Sequence, residues 1–542
     1  MSKSFNLSSF KKYFAPLLGG SLYAMGFPMK TLLNVFFLPI LGISLLIYCL
    51  DIISYDQSRK LLSRIKTVLL FSLSYCLTGY YWIPHTIKEF GEISFPINWL
   101  IGASFSLIIA PQFIFFLLSL TLFYKYQNKI KPIFDFLSQN SVKYIFLAFI
   151  LTVFEYYIPQ EFPAHLGHPW IQITPYLGLA PLFGAPIYSF IGYLMAFNIC
   201  DGFYKKKLRR TDLSVLFILL LINFCMPLSK LTKEKFDHQD HLRLVQANIG
   251  NFLKVSAEGG SHIAVREILQ QYLNLSIEKS EKQIDLVIWP ETAYPRLLDS
   301  FNMKDNNQIV PRLFKEAIIQ TGSELFVGGY DINRNRDTAF EKEFNSTFHF
   351  NQRGELKDVY HKMRLIPFGE NLPFGFVNKY IAPLVKNISF FGRGKNYTLF
   401  KTQNSTPFVS AICYEILFSS FIRDFLNSTK AEPSFLINLT NDSWYGDTSE
   451  PHQHLALAKW RAIEFDIPLV RMTNTGITSI IFSDGTESER LDVNTQKNLD
   501  ITLYTKDRSK TIFQRFGFLG ITMFVGLLMV ILYFLEIKKT RI

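Results

Sequence analysis

Pro407-Phe408-Val409-Ser410-Ala411-Ile412-Cys413-Tyr414-Glu415 is a short apolar run that ends on a thiol, with a carboxylate two residues beyond it. It reads as a buried strand. A strand that delivers one cysteine to its C-terminal end, with a carboxylate nearby, presents a nucleophile. The chain has five cysteines, and four of them (Cys49, Cys76, Cys200 and Cys225) lie in apolar stretches that read as membrane helices. Cys413 is the only thiol between about 229 and 510. With no partner there, it is not half of a disulfide within that region. The competing reading is a buried free cysteine acting as a small hydrophobe.

Outward from this run, strands and helices alternate. LRLVQA at 242–247, DLVIWP at 285–290, ELFVGGY at 324–330 and PSFLINLTN at 433–441 read as strands. Residues 346–352 and 356–362 alternate like a hairpin turning at Arg353-Gly354, and 469–474 and 478–483 form strands around Gly476. Helices are expected at 262–279, 419–427 and 450–466. A mixed region of about 280 residues is enough for one large α/β core.

The rest of the chain is different in kind. Of 542 residues, 49% are hydrophobic, 16% aromatic and 53 are Phe, which points to a membrane protein. Apolar segments at 13–28, 30–50, 67–84, 97–123, 142–158, 176–200 and 213–228 precede the polar region, and an eighth follows at 516–536. The net charge of +12 would suit a nucleic-acid binder, but most of the excess sits in short clusters beside apolar runs. Those clusters are Lys3, Lys11 and Lys12; Arg59, Lys60, Arg64 and Lys66; Lys125, Lys129, Lys131 and Lys143; Lys205, Lys206, Lys207, Arg209 and Arg210; and Lys538, Lys539 and Arg541. They fall before the first segment, in every even-numbered gap and after the eighth, which predicts cytoplasmic termini and an outer polar region. No cleavable signal is evident. Trp82, Trp99 and Trp170 then read as an aromatic belt, and Glu155, within a span near its outer end, as either a functional or a snorkelling carboxylate. Domains are expected at 1–228, 229–510 and 511–542.

Three further strings carry chemistry. Trp289-Pro290-Glu291-Thr292-Ala293 puts a carboxylate at a strand end. Tyr360-His361-Lys362-Met363-Arg364 and Pro367-Phe368-Gly369-Glu370 add a lysine and a second carboxylate after another strand. A carboxylate can take the thiol proton, and an ammonium favours first the thiolate and then an oxyanion. Read singly, Glu291 is also a helix N-cap, Lys362 a surface residue and Glu370 a partner for Arg364.

The strings VIWPETA, YHKMRLIPFGENLPF, AICYEI and LINLTNDSWYG resemble the signatures of the nitrilase, or carbon–nitrogen hydrolase, superfamily. That resemblance implies an α/β domain of the αββα sandwich type. It further implies Glu291 as general base, Lys362 as oxyanion-stabilising lysine, Cys413 as nucleophile and Glu370 as the glutamate orienting the lysine, with Tyr414 and Glu415 in support. Set between seven N-terminal spans and one C-terminal span, such a domain is similar to the apolipoprotein N-acyltransferase family of the bacterial inner membrane. Its members move an acyl chain from a membrane phospholipid to the α-amino group of an S-diacylglyceryl cysteine on a lipoprotein, without a cofactor or metal.

One departure is visible: where the family often reads QxNIPQxxKW, Val255 stands in the tryptophan's place. Asn441, Trp444 and Tyr445 beyond a strand, and Phe374 and Phe390 after Glu370, are candidate substrate contacts. Phe374, Phe376, Phe390 and Phe391 also suggest a lid dipping into the bilayer surface, with core packing as the alternative. His452 and His454, two apart on a helix, do not complete a zinc site. Competing functions are a membrane-tethered amidase and a non-catalytic multispan binding or transport protein.

Overall fold

The computed structural model describes the chain except residues 1–12, 31–33, 53–59, 92, 130, 139–141, 206–208, 229–235, 306–308, 335–341, 368, 373–377, 382–389 and 541–542. The chain divides into two compact units. One holds Met1–Thr232, Thr448–Ala456 and Arg515–Ile542; the other holds Lys233–Asp447 and Leu457–Gln514.

The first unit is helical. Each of the eight apolar segments contains helix, at Ala15–Ala24, Leu38–Cys49, Leu61–Gly79, Ile97–Ser104 with Pro111–Lys125, Lys143–Tyr157, Pro186–Lys205, Arg210–Leu228 and Phe518–Thr540. Leu61–Gly79, Ile97–Lys125 and Phe518–Leu535 are long and apolar enough to cross a membrane. Large apolar side chains on these helices face outward, among them Leu519, Met523, Leu527 and Phe534, and Phe217 and Leu221 on the Arg210–Leu228 helix. An array like this suits an apolar surround rather than water. Close approach without a hydrophobic driving force needs small residues. A Cβ on Gly20 would lie 2.1 Å from the Phe71 carbonyl oxygen, and one on Gly42 2.4 Å from that of Gly19.

Several expectations need correction here. The 97–123 segment is a candidate span as expected, but not one continuous helix: it passes through a 3₁₀ turn at Phe105–Leu107, and helix resumes at Pro111. Proline has no N–H to continue the ladder and suits the first turn of a new helix. Trp82 and Trp170 are buried rather than belted, and Trp82 Nε1 donates to Gln453 Oε1 at 3.2 Å. Glu155 does not snorkel. It is buried and accepts the Leu166 N–H at 2.7 Å and the Tyr193 hydroxyl at 3.0 Å, pinning the turn that follows its helix. The segment Thr448–Ala456 is tied into this unit. Ser449 Oγ accepts the Lys30 N–H at 3.0 Å and lies 2.9 Å from the Tyr81 hydroxyl; Gln453 Nε2 donates to the Gly79 carbonyl at 3.0 Å.

The second unit is built on two mixed sheets. Its strands are β1 (His238–Gln246), β2 (Leu286–Ile288), β3 (Tyr294–Leu298), β4 (Glu324–Ile332), β5 (Glu343–Phe350), β6 (Leu356–His361), β7 (Phe400–Lys401), β8 (Pro407–Ile412), β9 (Phe435–Thr440), β10 (Leu469–Thr473), β11 (Thr478–Ile481), β12 (Glu487–Leu491) and β13 (Lys497–Thr505). One sheet runs β13-β1-β2-β4-β5-β6 with β3 beside β4; the other runs β12-β11-β10-β9-β8-β7. β1, β2 and β4 are parallel, as are β8, β9 and β10. β5 runs back against β4 and β6 against β5, so β6 again points the way β4 does.

Alternation sorts the two faces of the first sheet. Val287, Trp289, Leu325, Val327, Phe348 and Phe350 pack with Ile268, Tyr272 and Phe314 of the His262–Ser276 and Arg312–Thr321 helices. On the opposite face, Phe326 meets Phe400 and Phe408 of the second sheet edge-on, at 5.1 and 5.4 Å between ring centres.

Candidate active site

The site gathers at the C-terminal ends of β2, β6, β8 and β9, where α/β sheets collect reactive side chains. Glu291 follows β2 on a turn with two anchors. Trp289 stacks on Tyr272 at 4.9 Å and donates Nε1 to Ser276 Oγ at 2.9 Å. Its N–H bonds the Phe326 carbonyl at 2.8 Å, and the Gly328 N–H bonds the Pro290 carbonyl at 3.2 Å. A Cβ on Gly328 would lie 2.4 Å from that oxygen and 2.6 Å from the Glu291 Cα, so the turn requires glycine here. Thr292 completes it with φ +49°, a left-handed conformation rare outside glycine. Glu291 therefore sits in a strand-end turn rather than at a helix N-cap.

Lys362 leaves β6 directly into the site and is fully buried, which removes the surface reading. Its N–H continues the ladder to the Asn345 carbonyl at 2.8 Å. Its ammonium donates to Glu291 Oε1 at 3.2 Å and to Glu370 Oε1 at 2.9 Å. Glu370 thus pairs with Lys362 rather than with Arg364, whose guanidinium lies over the Phe418 ring. Burial pulls the Lys362 ammonium down toward losing its proton. The Glu291 and Glu370 carboxylates outweigh that, so it is held above the usual lysine range.

Cys413 follows β8 at φ +48° and is 3% exposed. A residue held this way costs on the order of 1–3 kcal/mol and persists only where its surroundings over-determine it. Here Glu415 does that. Its buried carboxylate accepts the Ile412 N–H at 2.8 Å, bracing the turn around Cys413. From the end of β6 it also accepts the Met363 and Arg364 N–H groups at 2.7 and 3.0 Å and the Tyr360 hydroxyl at 2.9 Å. One carboxylate therefore fixes the cysteine turn to the lysine turn. Burial pushes it up to about 7 against these donors. Burial, then the Glu291 charge, hold the Cys413 thiol well above the ordinary cysteine range; Lys362 and a hydrogen bond with Thr440 pull the other way. A thiol so placed carries its proton at rest and needs a base to act.

Of the other sequence candidates, Asn441 is buried at the end of β9, and its N–H donates to Glu291 Oε2 at 2.9 Å. Tyr414 is buried against Phe418, and Tyr445 is buried, whereas Trp444 is 43% exposed. Phe390 is half-buried; Phe374 and Phe376 lie outside the described residues. Phe391 packs flat on Tyr330 at 5.6 Å, so for this ring the packing reading holds. Sequence reasoning missed Asn345, whose Nδ2 donates to Glu291 Oε1 at 2.8 Å and to Glu370 Oε1 at 2.9 Å. A buried-strand position holding an amide was the available signal.

A family model for the carbon–nitrogen hydrolases matches residues 242–526, more than half of the chain. The chain belongs to the carbon–nitrogen hydrolase family. A second model, the apolipoprotein N-acyltransferase N-terminal domain, matches residues 19–198. A protein of Bdellovibrio bacteriovorus named apolipoprotein N-acyltransferase is 29% identical over 459 residues, 81% of this chain and 80% of that one. Its namesake in Rickettsia bellii is 26% identical over 533 residues, 96% of each. Among solved structures, an amidase from Nesterenkonia sp. aligns at TM-score 0.34 and 15% identity over 51% of this chain and 94% of that one. Both family models in one chain put it in the N-acyltransferase branch of the nitrilase superfamily.

Proposed function

We propose that this carbon–nitrogen hydrolase family member transfers an acyl chain from a membrane phospholipid to the α-amino group of an S-diacylglyceryl cysteine at a lipoprotein N-terminus. One observation carries the reading. The cluster of Lys362 with Glu291 and Glu370, beside the turn that presents Cys413, shares its chain with a helical half matched by the N-acyltransferase N-terminal domain. The proposed architecture is an eight-span bundle with an αββα sandwich between the seventh and eighth spans. The bundle lies in the bacterial inner membrane, with both termini cytoplasmic and the catalytic domain periplasmic. The basic clusters and the outward apolar side chains support it.

Glu291 takes the Cys413 proton, and the thiolate attacks a phospholipid ester carbonyl. Lys362 spends two of its three N–H bonds on Glu291 and Glu370, and the third meets the oxyanion. Collapse forms the Cys413 thioester and expels the lysophospholipid alkoxide, which receives the proton held on Glu291. A terminal amine with a pKa of about 7.7–8.0 is mostly protonated at neutral pH. The ammonium proton goes to solvent; as the free amine attacks the thioester, Glu291 takes the second proton from its nitrogen and returns it to the departing Cys413 thiolate. Asn345 and the Asn441 N–H hold the base in place throughout.

The test separates transfer from hydrolysis by water. The purified protein, given phospholipid and a diacylglyceryl-cysteine peptide with a free amino terminus, is expected to yield N-acyl peptide and lysophospholipid in equal amounts. Acetylating that amine should stop turnover after one acyl-enzyme. Continued release of free fatty acid with the blocked peptide would identify a hydrolase.

A further inference from the structure

Lys254 stands on the Asn251–Glu258 helix and aims its side chain inward, donating from Nζ to Thr292 Oγ1. Thr292 is the left-handed residue directly after Glu291. Lys254, Glu291 and Thr292 line one small cavity with Ile249, Tyr272 and Asn474. The ammonium faces Glu258, Glu291, Cys413 and Glu370; burial pulls it down, and those four groups pull it back up. Around Cys413 the charged groups are Glu291, Lys362 and Asp442, and Asp442 is held by Arg471 at 2.9 Å. The Lys362 charge acts on Glu415, and the Tyr330 hydroxyl donates to Glu258 at 2.6 Å.

The charge count has a consequence. Glu291 and Glu370 share one ammonium, that of Lys362. Two carboxylates on one cation in a buried site leave one negative charge uncompensated, which is costly away from water, and Lys254, shared with Glu258, is the next cation. We infer that Lys254 is a positioning residue that, through Thr292 and through its charge, holds the Glu291 carboxylate ready to accept the proton from Cys413. The inference rests on the reading of Cys413 as nucleophile and Glu291 as base. Lys254 acts on Glu291, through Thr292 and through its field, rather than on substrate.

The test uses the full-length protein in phospholipid micelles, without acceptor. The initial rate of acyl adduct formation on Cys413 is followed by intact-protein mass spectrometry from pH 5 to 9. Lys254→Gln can still donate to Thr292 but has no charge; Lys254→Met has neither, and provides the uncharged comparison if the glutamine variant does not fold. Both are expected to move the acid limb of the profile upward by a pH unit or more, with at least a tenfold slower rate at pH 6. Lys254→Arg should keep the wild-type limb. Superimposed profiles for wild type and the uncharged variants would overturn the inference, as would an equal shift in the arginine variant, which would assign the effect to side-chain shape. Failure of the wild type to form any adduct would overturn the acyl-transfer reading first, and this one with it.

Discussion

At the scale of the residue, Glu415 shows how one side chain can hold a reactive turn. It lies two residues past the thiol, yet its donors come from the lysine turn as well as from Ile412. Its pH dependence follows. The folded-state value is pushed up to about 7 by burial, above the ordinary carboxyl range, so the native state takes up this proton before the unfolded chain does. Its stabilising contribution is therefore complete below the unfolded pKa near 4.3 and is lost as pH rises through about 7. The loss is on the order of 3 kcal/mol across that window. Glu415→Gln removes the titration, so the thermal midpoint of the wild type should fall relative to the variant between pH 5 and 8. Midpoints that stay parallel across the window would contradict this. Glu291, Lys362 and Cys413 stood out in the sequence because each sits in a string whose wording resembles a family pattern. Asn345 carried no such label, and Lys254 matches the lysine of QxNIPQxxKW in the string that departs from the family pattern at Val255. Asn345 looked like an ordinary polar position in an alternating strand, and Lys254 was passed over beside the missing tryptophan at Val255. Their roles arise from contacts 54 and 38 residues away in sequence.

At the scale of the element, the site depends on how closely one strand approaches the turn after another. Gly328 of β4 leaves no room for a methyl group beside Pro290 and Glu291. Gly328→Ala must move backbone rather than a flexible side chain, and Glu291 is the backbone it moves. The variant is expected to stay folded, because Phe326 and Val327, just before it on β4, keep their packing, and to lose at least a hundredfold in acyl transfer, since small displacements of reacting groups cost that much. Near wild-type turnover would show that the Glu291 turn has slack. Strands read by alternation were largely legible: β4, β5, β6, β8, β9 and β10 fall where the pattern puts them. β3, β7, β12 and β13 escaped it. β7 has two residues, too few to alternate. β12 and β13 are half-exposed, and β13 finds its place only by pairing with β1 across the length of the unit, which local composition does not encode.

At the scale of the whole molecule, the charge distribution makes a topological prediction. A reporter active only in the cytoplasm should be silent when inserted near Asn306 and active when fused after Ile542. Activity at Asn306 would overturn the orientation and, with it, access to lipoprotein substrates. Eight apolar segments were countable from composition, whereas the return of Thr448–Ala456 to the helical unit was not, because Ser449 and Gln453 are unremarkable on a polar helix. That return bears on how the protein is made. A ribosome that has finished residue 232 has completed neither unit. The helical unit still lacks Ser449, Gln453 and everything from Arg515 onward. Its last pieces emerge only after both sheets have been synthesised, so the part of the protein that enters the bilayer first is also the part completed last. A nonsense mutation anywhere before codon 515 would leave the helical unit unfinished, however much of the catalytic sequence had already been translated.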